Sequence, residues 1–404
     1  MSSFSFFSVA RVRVLFLMAL FCLLLPASLW AIDLADDKIQ LHGFLTQGYM
    51  ESVDNNFLGD TMDGTFRLTE IGLNLNAKLT DKFRLGGQAL YCNLPAASTG
   101  KVRVDWLVAD YHFSDPFGVR LGKVKMPMGL YNMERDSDFL RPLIFLPQSI
   151  YDETLRDSWQ SLWGGDVYGN LLLSKWGDVD YQLFGGRIQY EDDSLATLAS
   201  SEFVNRYNKQ YALSLSAEDL DRQNNYAYGA ALFFNPSLKG LRGAMTLLVL
   251  DDESWIHEYE VSSLRIKSKF VTSLEYTWQK FSGTVEYSET DRRQEQFEVT
   301  TLDGPSQSWY VLLSYSPVEA LTFSLLYDEY YRLKNNHHES AGSQNLYPWR
   351  KDLAASLRYD IAENWTFKAE WHIVDGTALY SGYFNPQGTE RYWQYGALKL
   401  SFNF

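Results

Sequence analysis

The chain has little cysteine and no surplus of positive charge, and both shortages restrict what it can be. Its 404 residues include two cysteines, Cys22 and Cys92, and we expect Cys22 to be removed with the leader described below. One remaining cysteine excludes an intrachain disulfide framework. The 36 Lys and Arg stand against 50 Asp and Glu, and the resulting net charge of -14 argues against a nucleic-acid partner, which would attract a basic surface.

Long apolar runs are also scarce, and the one that exists lies at the N-terminus. Arg11 and Arg13 precede an unbroken apolar stretch from Val14 to Leu25, and Ala31 follows at a suitable cleavage position. This order predicts a secretory signal peptide over residues 1–31. A membrane-spanning helix is not expected, because the apolar run is shorter than the ~20 residues that such a helix needs. Residues 32–404 would then form one exported domain.

Beyond the leader, apolar and polar residues alternate along many short segments. In "NWTFKAEWHI", residues 364–373, the apolar side chains fall on one face and Thr366, Lys368, Glu370 and His372 fall on the other. A period of two is typical of a strand with one apolar face. A β-sandwich could show the same pattern. Aromatic residues near the strand ends, and connections that alternate between short and long, favour a membrane barrel.

The alternation indicates sixteen strands. They are placed at residues 38–50, 66–79, 82–93, 101–113, 118–126, 166–175, 178–190, 225–235, 240–250, 266–279, 280–291, 307–316, 320–332, 350–361, 364–375 and 390–404. Tight turns follow even-numbered strands and long connections follow odd-numbered ones. This rhythm predicts an all-β, transmembrane, antiparallel up-and-down β-barrel with both termini on the periplasmic side. The segment "KQYALSLS" in 191–224 could supply an extra strand, so 18 strands is the alternative.

The chain ends on alternating apolar residues in "ALKLSFNF". The last strand of a membrane barrel must pair with the first, because lipid cannot satisfy an open sheet edge. We expect Leu398, Leu400, Phe402 and Phe404 to form the lipid-facing side of this strand. The ending also resembles the C-terminal assembly signal of bacterial outer-membrane barrels, which terminates in Phe. The resemblance implies an outer-membrane location, with outer-membrane lipids and the assembly machinery as partners.

The third long connection, between the fifth and sixth strands, is about half apolar. Loops longer than about 12–15 residues are usually functional. A loop exposed to water would not carry this run of apolar residues: Phe139, Leu140, Leu143, Ile144, Phe145 and Leu146. We therefore expect the loop to fold into the barrel, pack on its inner wall and narrow the channel.

A long third loop in a sixteen-stranded frame resembles the Gram-negative porins. The segments "IQLHGFLTQGY" (39–49), "VRLGKVKMPMGLYN" (119–132) and "RPLIFLPQSIY" (141–151) are similar to a group of proteobacterial porins related to the phosphate-selective O/P and dicarboxylate-type channels. The resemblance covers the whole mature chain in layout. It implies a lumen narrowed by the third loop, basic wall residues facing that lumen, and a homotrimer.

The fifth strand presents a conflict of phase. Val119 and Leu121 face lipid, and the same alternation would place Lys123 and Lys125 there as well. A lysine facing the middle of the bilayer costs about 2–4 kcal/mol. We therefore expect a bulge near Gly122 that turns both lysines into the lumen. The alternative is that the strand ends early and the lysines lie at the external interface.

Charged residues on the wall and on the third loop are the candidate pore-lining and constriction set. They are Glu70, Arg84, Arg103, Arg120, Lys123, Lys125, Glu134, Arg135, Asp136, Asp138, Arg141 and Arg156. Loop acids that face basic wall residues would create an electric field across the pore. The alternative is that salt bridges among these charges only hold the loop in place. Positive side chains around a pore favour anions and acidic ones favour cations. The basic cluster on strands three to five favours anionic solutes, whereas Glu275, Glu286 and other far-wall acids favour cations.

Enzymatic signatures are missing from the sequence. It contains no G-x-S-x-G, no H-E-x-x-H and no glycine-rich phosphate loop, so no catalytic residue, cofactor or metal is predicted. The preferred hypothesis is a passive porin for small hydrophilic solutes, among which the basic cluster favours anions. A structural or adhesive barrel with a plugged lumen is the second hypothesis, and a barrel hydrolase is the third.

Overall fold

The structure, a computed structural model, describes residues 32–34, 38–94, 100–192, 194–334, 347–379 and 384–404. The predicted signal peptide over residues 1–31 lies outside these ranges. Within them the chain forms sixteen barrel strands. In chain order these are β1 Ile39–Val53, β2 Thr69–Lys78, β3 Phe83–Asn93, β4 Lys101–Ser114, β5 Phe117–Lys125, β6 Ser161–Leu172, β7 Gly177–Arg187, β8 Leu220–Pro236, β9 Leu241–Ile256, β10 Tyr259–Trp278, β11 Phe281–Gln296, β12 Val299–Val318, β13 Leu321–Tyr331, β14 Trp349–Ala362, β15 Trp365–Gly376 and β16 Tyr392–Asn403.

Each strand pairs antiparallel with its sequence neighbours, and β16 pairs with β1 to close the barrel. Gly43 and Phe404 exchange two backbone hydrogen bonds of 3.0 and 2.9 Å at this seam. A side chain at Gly43 would meet the Phe404 ring, since its Cβ would lie 2.5 Å from that ring. The prediction of a closed sixteen-stranded barrel is confirmed. A further three-residue strand, Ile32–Leu34, pairs with Ile39–Leu41 at the start of β1.

The strands β9 to β12 extend further on the long-loop side than the sequence predicted. Residues 251–265 and 292–306 were expected to be connections, but they continue the hairpins β9–β10 and β11–β12. Phe297 and Glu298 form the two-residue turn of the second hairpin, with φ of 46° and 62°, as a type I′ turn requires. These extensions carry polar residues on both faces of the strands, so the alternation that identifies a strand is lost there.

The alternative of 18 strands is wrong, because the segment that suggested it contains a helix. Two α-helices lie in the described residues, α1 Arg156–Trp159 and α2 Leu195–Tyr211. Ser194 caps α2 by accepting a hydrogen bond from the Thr197 N–H, and the helix ends at Ala212 in the left-handed conformation. The described helices include none long and apolar enough to cross a membrane. Short 3₁₀ turns occur at Asn132–Glu134, Asp138–Leu140, Glu153–Leu155, Ser174–Trp176 and Ala217–Asp219.

The outer surface of the barrel is apolar and carries aromatic clusters near the short turns. Phe113 lies 4.6 Å from Tyr111 and 5.1 Å from Phe117, measured between ring centroids, beside the β4–β5 turn. Phe281 and Tyr315 form a similar pair at 4.7 Å beside the β10–β11 turn. Because these rings are outward and exposed, they give the apolar band an aromatic edge, as barrels in membranes have.

Candidate functional site: a loop anchored inside the barrel

The connection between β5 and β6, residues 126–160 and called loop 3 below, folds into the barrel. Leu143, Ile144, Phe145 and Leu146 are 0–3% exposed and pack in clusters with inward-facing wall residues. The expectation of an inward-folded third loop is therefore confirmed. Leu140 departs from it, since its side chain is exposed.

Asp138 is the first of two charged anchors of loop 3. Its carboxylate lies 3.1 Å from Lys368 on β15 and 3.1 Å from Lys399 on β16, and it accepts a 2.6 Å hydrogen bond from the Ser401 hydroxyl. Arg141 lies 3.5 Å away. Each of these charged groups is buried. A buried acid between two ammonium groups fixes the loop against the strands that close the barrel.

Arg156 of α1 is the centre of the second anchor. Its guanidinium pairs with Glu70 on β2, with Asp136 at 2.9 Å and with Glu153 at 3.1 Å. Arg135 contacts Glu153 from the other side at 2.7 Å. Glu70 also accepts a 2.8 Å hydrogen bond from Lys399. The two anchors are thus one continuous ion-pair network that runs between β2, β15, β16 and loop 3.

The loop acids in this network have depressed pKa values. Burial alone would raise the pKa of Glu153, but the charges of Arg135 and Arg156 outweigh it and lower the pKa to about 2. The same balance, with Lys368, Lys399 and Arg141 as the cations, holds the pKa of Asp138 well below its usual range. Both carboxylates are therefore ionised at neutral pH.

Loop 3 also forms hydrogen bonds with two wall carboxylates, one on β11 and one on β15. Glu286 on β11 accepts from the Leu130 N–H at 2.8 Å and from the Tyr151 hydroxyl at 2.6 Å. Glu370 on β15 accepts from the Ile144 N–H at 2.7 Å. These buried wall carboxylates satisfy loop donors that water cannot reach, so they serve to position the loop.

The wall of β6, β7 and β8 differs, because loop 3 makes no hydrogen bond or ion pair with these strands in the described residues. A chamber of about 460 Å³ lies here, and its lining includes Arg120, Tyr168, Asn170, Gln182 and Met133 of loop 3. Arg120 lies 2.9 Å from Asp166, and its guanidinium lies 4.5 Å from the centre of the Tyr168 ring. This polar space, called the lumen chamber below, is the candidate solute path.

The structure divides the candidate pore-lining residues into groups. Glu70, Arg135, Asp136, Asp138, Arg141 and Arg156 are buried in the anchoring network. Arg84 and Arg120 face the interior; Arg84 is half-exposed and lies 2.8 Å from Asp110, whereas Arg120 is largely buried beside Asp166. Glu134 is exposed. Arg103 lies opposite the buried Leu90.

The predicted bulge at Gly122 is wrong. The pairing of β5 with β4 and β6 runs through Gly122 without a shift, and the bulge lies in β4 beside Asp105. Lys123 pairs with Leu107 and Trp163, which are outward and exposed, so it keeps the outward phase. Lys125, at the end of the strand, reaches inward to Asp136 at 2.8 Å.

Sequence reasoning did not assign a loop-positioning role to several wall residues, although it named Glu286 as a far-wall acid. Lys368, Lys399 and Glu286 are each no more than 2% exposed, and all three contact loop 3 or its anchors. Strand alternation pointed each of them inward. It could not show which loop residue each would meet, because the loop has no period from which its path can be read.

Solved channel structures share this fold. The outer membrane channel DcaP of Acinetobacter baumannii matches with a TM-score of 0.56 at 12% identity, over 91% of this chain and 97% of that chain. OmpT of Vibrio cholerae, in a trimer form, matches with a TM-score of 0.54 at 11% identity, over 91% and 99%. An anion-selective porin from Comamonas acidovorans gives 0.52 at 10% identity, also over 91% and 99%. No family profile and no curated protein matches the sequence.

At these identities the likeness shows the fold alone: a closed antiparallel barrel of sixteen strands, as in outer-membrane porins. It does not extend to the O/P or dicarboxylate-type group that the sequence resembles.

Proposed function

We propose that this protein is an outer-membrane porin, a passive water-filled channel for small hydrophilic solutes. The observation that carries the proposal is loop 3, which enters a closed barrel and is held there by buried ion pairs such as Asp138–Lys399. A loop fixed in this way narrows the lumen to a defined path. An outward apolar face with aromatic edges supports the outer membrane as the location, with its lipids and assembly machinery as partners.

The lumen chamber supports a route for solutes. Its lining is polar on the wall side, with Arg120, Asn170 and Gln182, and loop 3 contributes Met133. Loop 3 forms no hydrogen bond with β6, β7 or β8 across the described residues. A passage bounded by a fixed loop on one side and a polar wall on the other admits hydrated solutes, because its surface can replace part of their water.

The exposure of charges in the lumen supports a preference for anions. In three wall ion pairs the cation is the more exposed partner. Side-chain exposures are 21% for Arg120 against 1% for Asp166, and 50% for Arg84 against 8% for Asp110. Arg242 is 39% exposed and its partner Glu275 is 15% exposed. At these three pairs a passing ion meets the guanidinium group before the carboxylate, which attracts anions. Asp115 and Asp180 also line the lumen chamber and act against this preference.

We further propose that the protein assembles as a homotrimer. Lys123 lies on the outer face between Leu107 and Trp163, where its Nζ donates a 2.7 Å hydrogen bond to the Val104 carbonyl. A lysine facing acyl chains costs about 2–4 kcal/mol at the middle of the bilayer. A protein–protein contact would remove this cost. The trimer form of the structurally similar OmpT agrees with this assembly, and chemical cross-linking of the purified protein in detergent tests it.

Planar-bilayer recording of the purified, refolded protein tests the channel itself. We expect stepwise, voltage-independent current increments. Correctly folded protein that gives no increments would contradict the porin proposal.

A plugged structural or adhesive barrel is the second candidate, and one observation favours it. Loop 3 has polar contacts with wall residues on β2, β5, β9, β11 and β15, such as Thr246, which accepts from the Gly129 N–H at 3.0 Å. A loop with contacts so widely spread could seal the lumen. Folded protein without conductance is the result that this candidate predicts.

Strand alternation places His372 on the inward face beside Glu370, where the two could form an acid–base pair, but the hydrolase hypothesis loses support there. Both ring nitrogens are engaged, one 2.8 Å from Asp352 and the other 2.6 Å from Glu370. A histidine held between two carboxylates has no nitrogen left to activate a serine.

A further inference from the structure

A second cavity lies between loop 3 and the wall formed by β10 to β13. Its volume is about 80 Å³, well above the about 10–15 Å³ that one water requires. Lys269 and Arg292 line it from the wall, and Arg135, Ser149 and Trp159 line it from loop 3. We call this space the β10–β13 cavity. Its lining is rich in hydrogen-bond donors and basic groups.

Lys269 is a buried cation without an acidic partner. Its side chain points inward between Leu248 and Thr290 of the neighbouring strands, and the residue is 7% exposed. Its Nζ lies 5.3 Å from the centre of the Trp159 ring. No residue in the described ranges forms a hydrogen bond or ion pair with it. A buried ammonium group is costly unless a counter-charge or hydrogen bonds compensate it.

Other donors in the cavity are also unused. Arg292 donates one 2.6 Å hydrogen bond to the Tyr330 hydroxyl, but its Nε is buried without a partner. The Ser149 hydroxyl is likewise buried and unpartnered. Buried polar groups without partners are uncommon in folded proteins and call for an explanation such as a bound ion.

The charges already present do not neutralise this site. Arg135 is engaged by Glu153 at 2.7 Å. Asp152 is the one acid among the lining residues that the structure describes. Its carboxylate accepts hydrogen bonds from Thr154 and forms no ion pair with Lys269 or Arg292. Neither Lys269 nor Arg292 therefore forms an ion pair with an acid in the part of the chain that the structure describes.

We propose that the β10–β13 cavity is a binding subsite for a small oxyanion, a carboxylate or a phosphate. The anion would lie between the Lys269 ammonium and the Arg292 guanidinium, with the Ser149 hydroxyl as a further donor. An arginine fork matches the paired oxygens of either anion, and a lysine adds a point charge. This proposal rests on the porin proposal and extends it with a binding subsite inside the barrel. The subsite lies on the wall whose acids, in the sequence analysis, favoured cations.

Isothermal titration calorimetry of the full-length protein in detergent tests the subsite. Inorganic phosphate and acetate are titrated separately, so the two sources of the chemistry are distinguished. We expect a saturable heat with at least one anion. Lys269→Gln and Arg292→Gln should each weaken it about tenfold or more, because each removes a charge-assisted contact. Lys267→Gln is the matched control, since Lys267 is exposed and paired with Asp303 at 3.1 Å.

Unchanged binding in both Lys269→Gln and Arg292→Gln, or no saturable heat with either anion, overturns the proposal. If one variant does not fold, as judged by its mobility on an unboiled gel, the other decides. Planar-bilayer recording of the same preparation separates the two proposals. Conductance without anion binding overturns the subsite and leaves the porin. Anion binding without conductance supports the subsite and overturns the porin.

Discussion

Lys399 of β16 and Asp138 of loop 3 lie 3.1 Å apart inside the barrel. Lys399 also reaches Glu70 on β2 at 2.8 Å, so one side chain joins the last strand, the second strand and the loop. Both residues of the first pair are buried. Barrel closure and loop placement therefore depend on the same contact, and disturbing it should affect both.

Replacing Asp138 with Asn should loosen loop 3 and destabilise the barrel. The change leaves Lys368 and Lys399 buried without this carboxylate, and removing one partner of a buried pair costs about 3–5 kcal/mol. We expect a larger single-channel conductance and a lower temperature of conversion to the unfolded band on an SDS gel. Asp60→Asn, at an exposed acid, is the control. Equal conductance and equal conversion temperature in Asp138→Asn and wild type would contradict the anchoring role.

Loop anchoring should tolerate moderate acid. The pKa of Glu153 falls from a usual 4.5 to about 2 in the folded protein. A depressed pKa means that the stabilisation is complete above the unfolded value, and is lost as the pH falls through the folded value. We expect constant single-channel conductance from pH 7 to about 5, and a change only below about 4.5. A transition centred near pH 6 would show that other groups control the loop.

Arg120 and Lys123 should have different effects on ion selectivity, although they are close in sequence. The Arg120 guanidinium lines the lumen chamber, whereas Lys123 pairs with outward-facing Leu107 and Trp163. Arg120→Gln removes a positive charge from the chamber and the ion pair with Asp166, which keeps its hydrogen bond from Gln182, and it should reduce the preference for anions. Lys123→Gln is the matched loss of charge and should leave the reversal potential unchanged. The reverse ranking would show that Lys123 faces the lumen.

Gly122→Ala should destabilise the barrel. Gly122 has φ of 130°, and an added Cβ would lie 2.2 Å from the Leu107 carbonyl oxygen. Backbone strain of this kind costs about 1–3 kcal/mol, and the clash with backbone adds to it. Gly283→Ala is the control, because its Cβ would meet only the Leu313 side chain, at 3.4 Å. Thermal conversion on an unboiled gel measures both variants, and equal temperatures would contradict the strain at Gly122.

The sequence predicted most of the barrel because a two-residue period marks each strand that has one apolar and one polar face. On β15, for example, Trp365 and Phe367 lie on the apolar face, and Lys368 and Glu370 lie on the polar face. Where water covers both faces, as around the Phe297–Glu298 turn, the period disappears and the strand extensions were missed. The helix Leu195–Tyr211 lies beside this turn. Its Tyr207 ring stacks on the Phe297 ring of the turn, with 3.8 Å between the ring centroids.

The site was predictable in outline only. The apolar run Leu143–Leu146 indicated a loop that packs inside the barrel, because no water-exposed loop would carry it. The partners of the loop charges were not predictable, since Asp138 meets Lys368 and Lys399 across some 230 to 260 residues of chain. Lys123 was placed wrongly because the cost of a lysine in lipid led us to expect a bulge in β5. The bulge lies in the neighbouring strand β4 instead, and β5 keeps its alternation through Gly122.

The reversal potential of the wild-type protein in a planar bilayer under a KCl gradient tests the central claim most directly. The guanidinium groups of Arg84, Arg120 and Arg242, each more exposed than its acidic partner, predict a potential with the sign of chloride selectivity. A cation-selective potential would mean that the buried acids dominate the field in the lumen. Folded protein that carries no current would contradict the open channel and favour a plugged barrel.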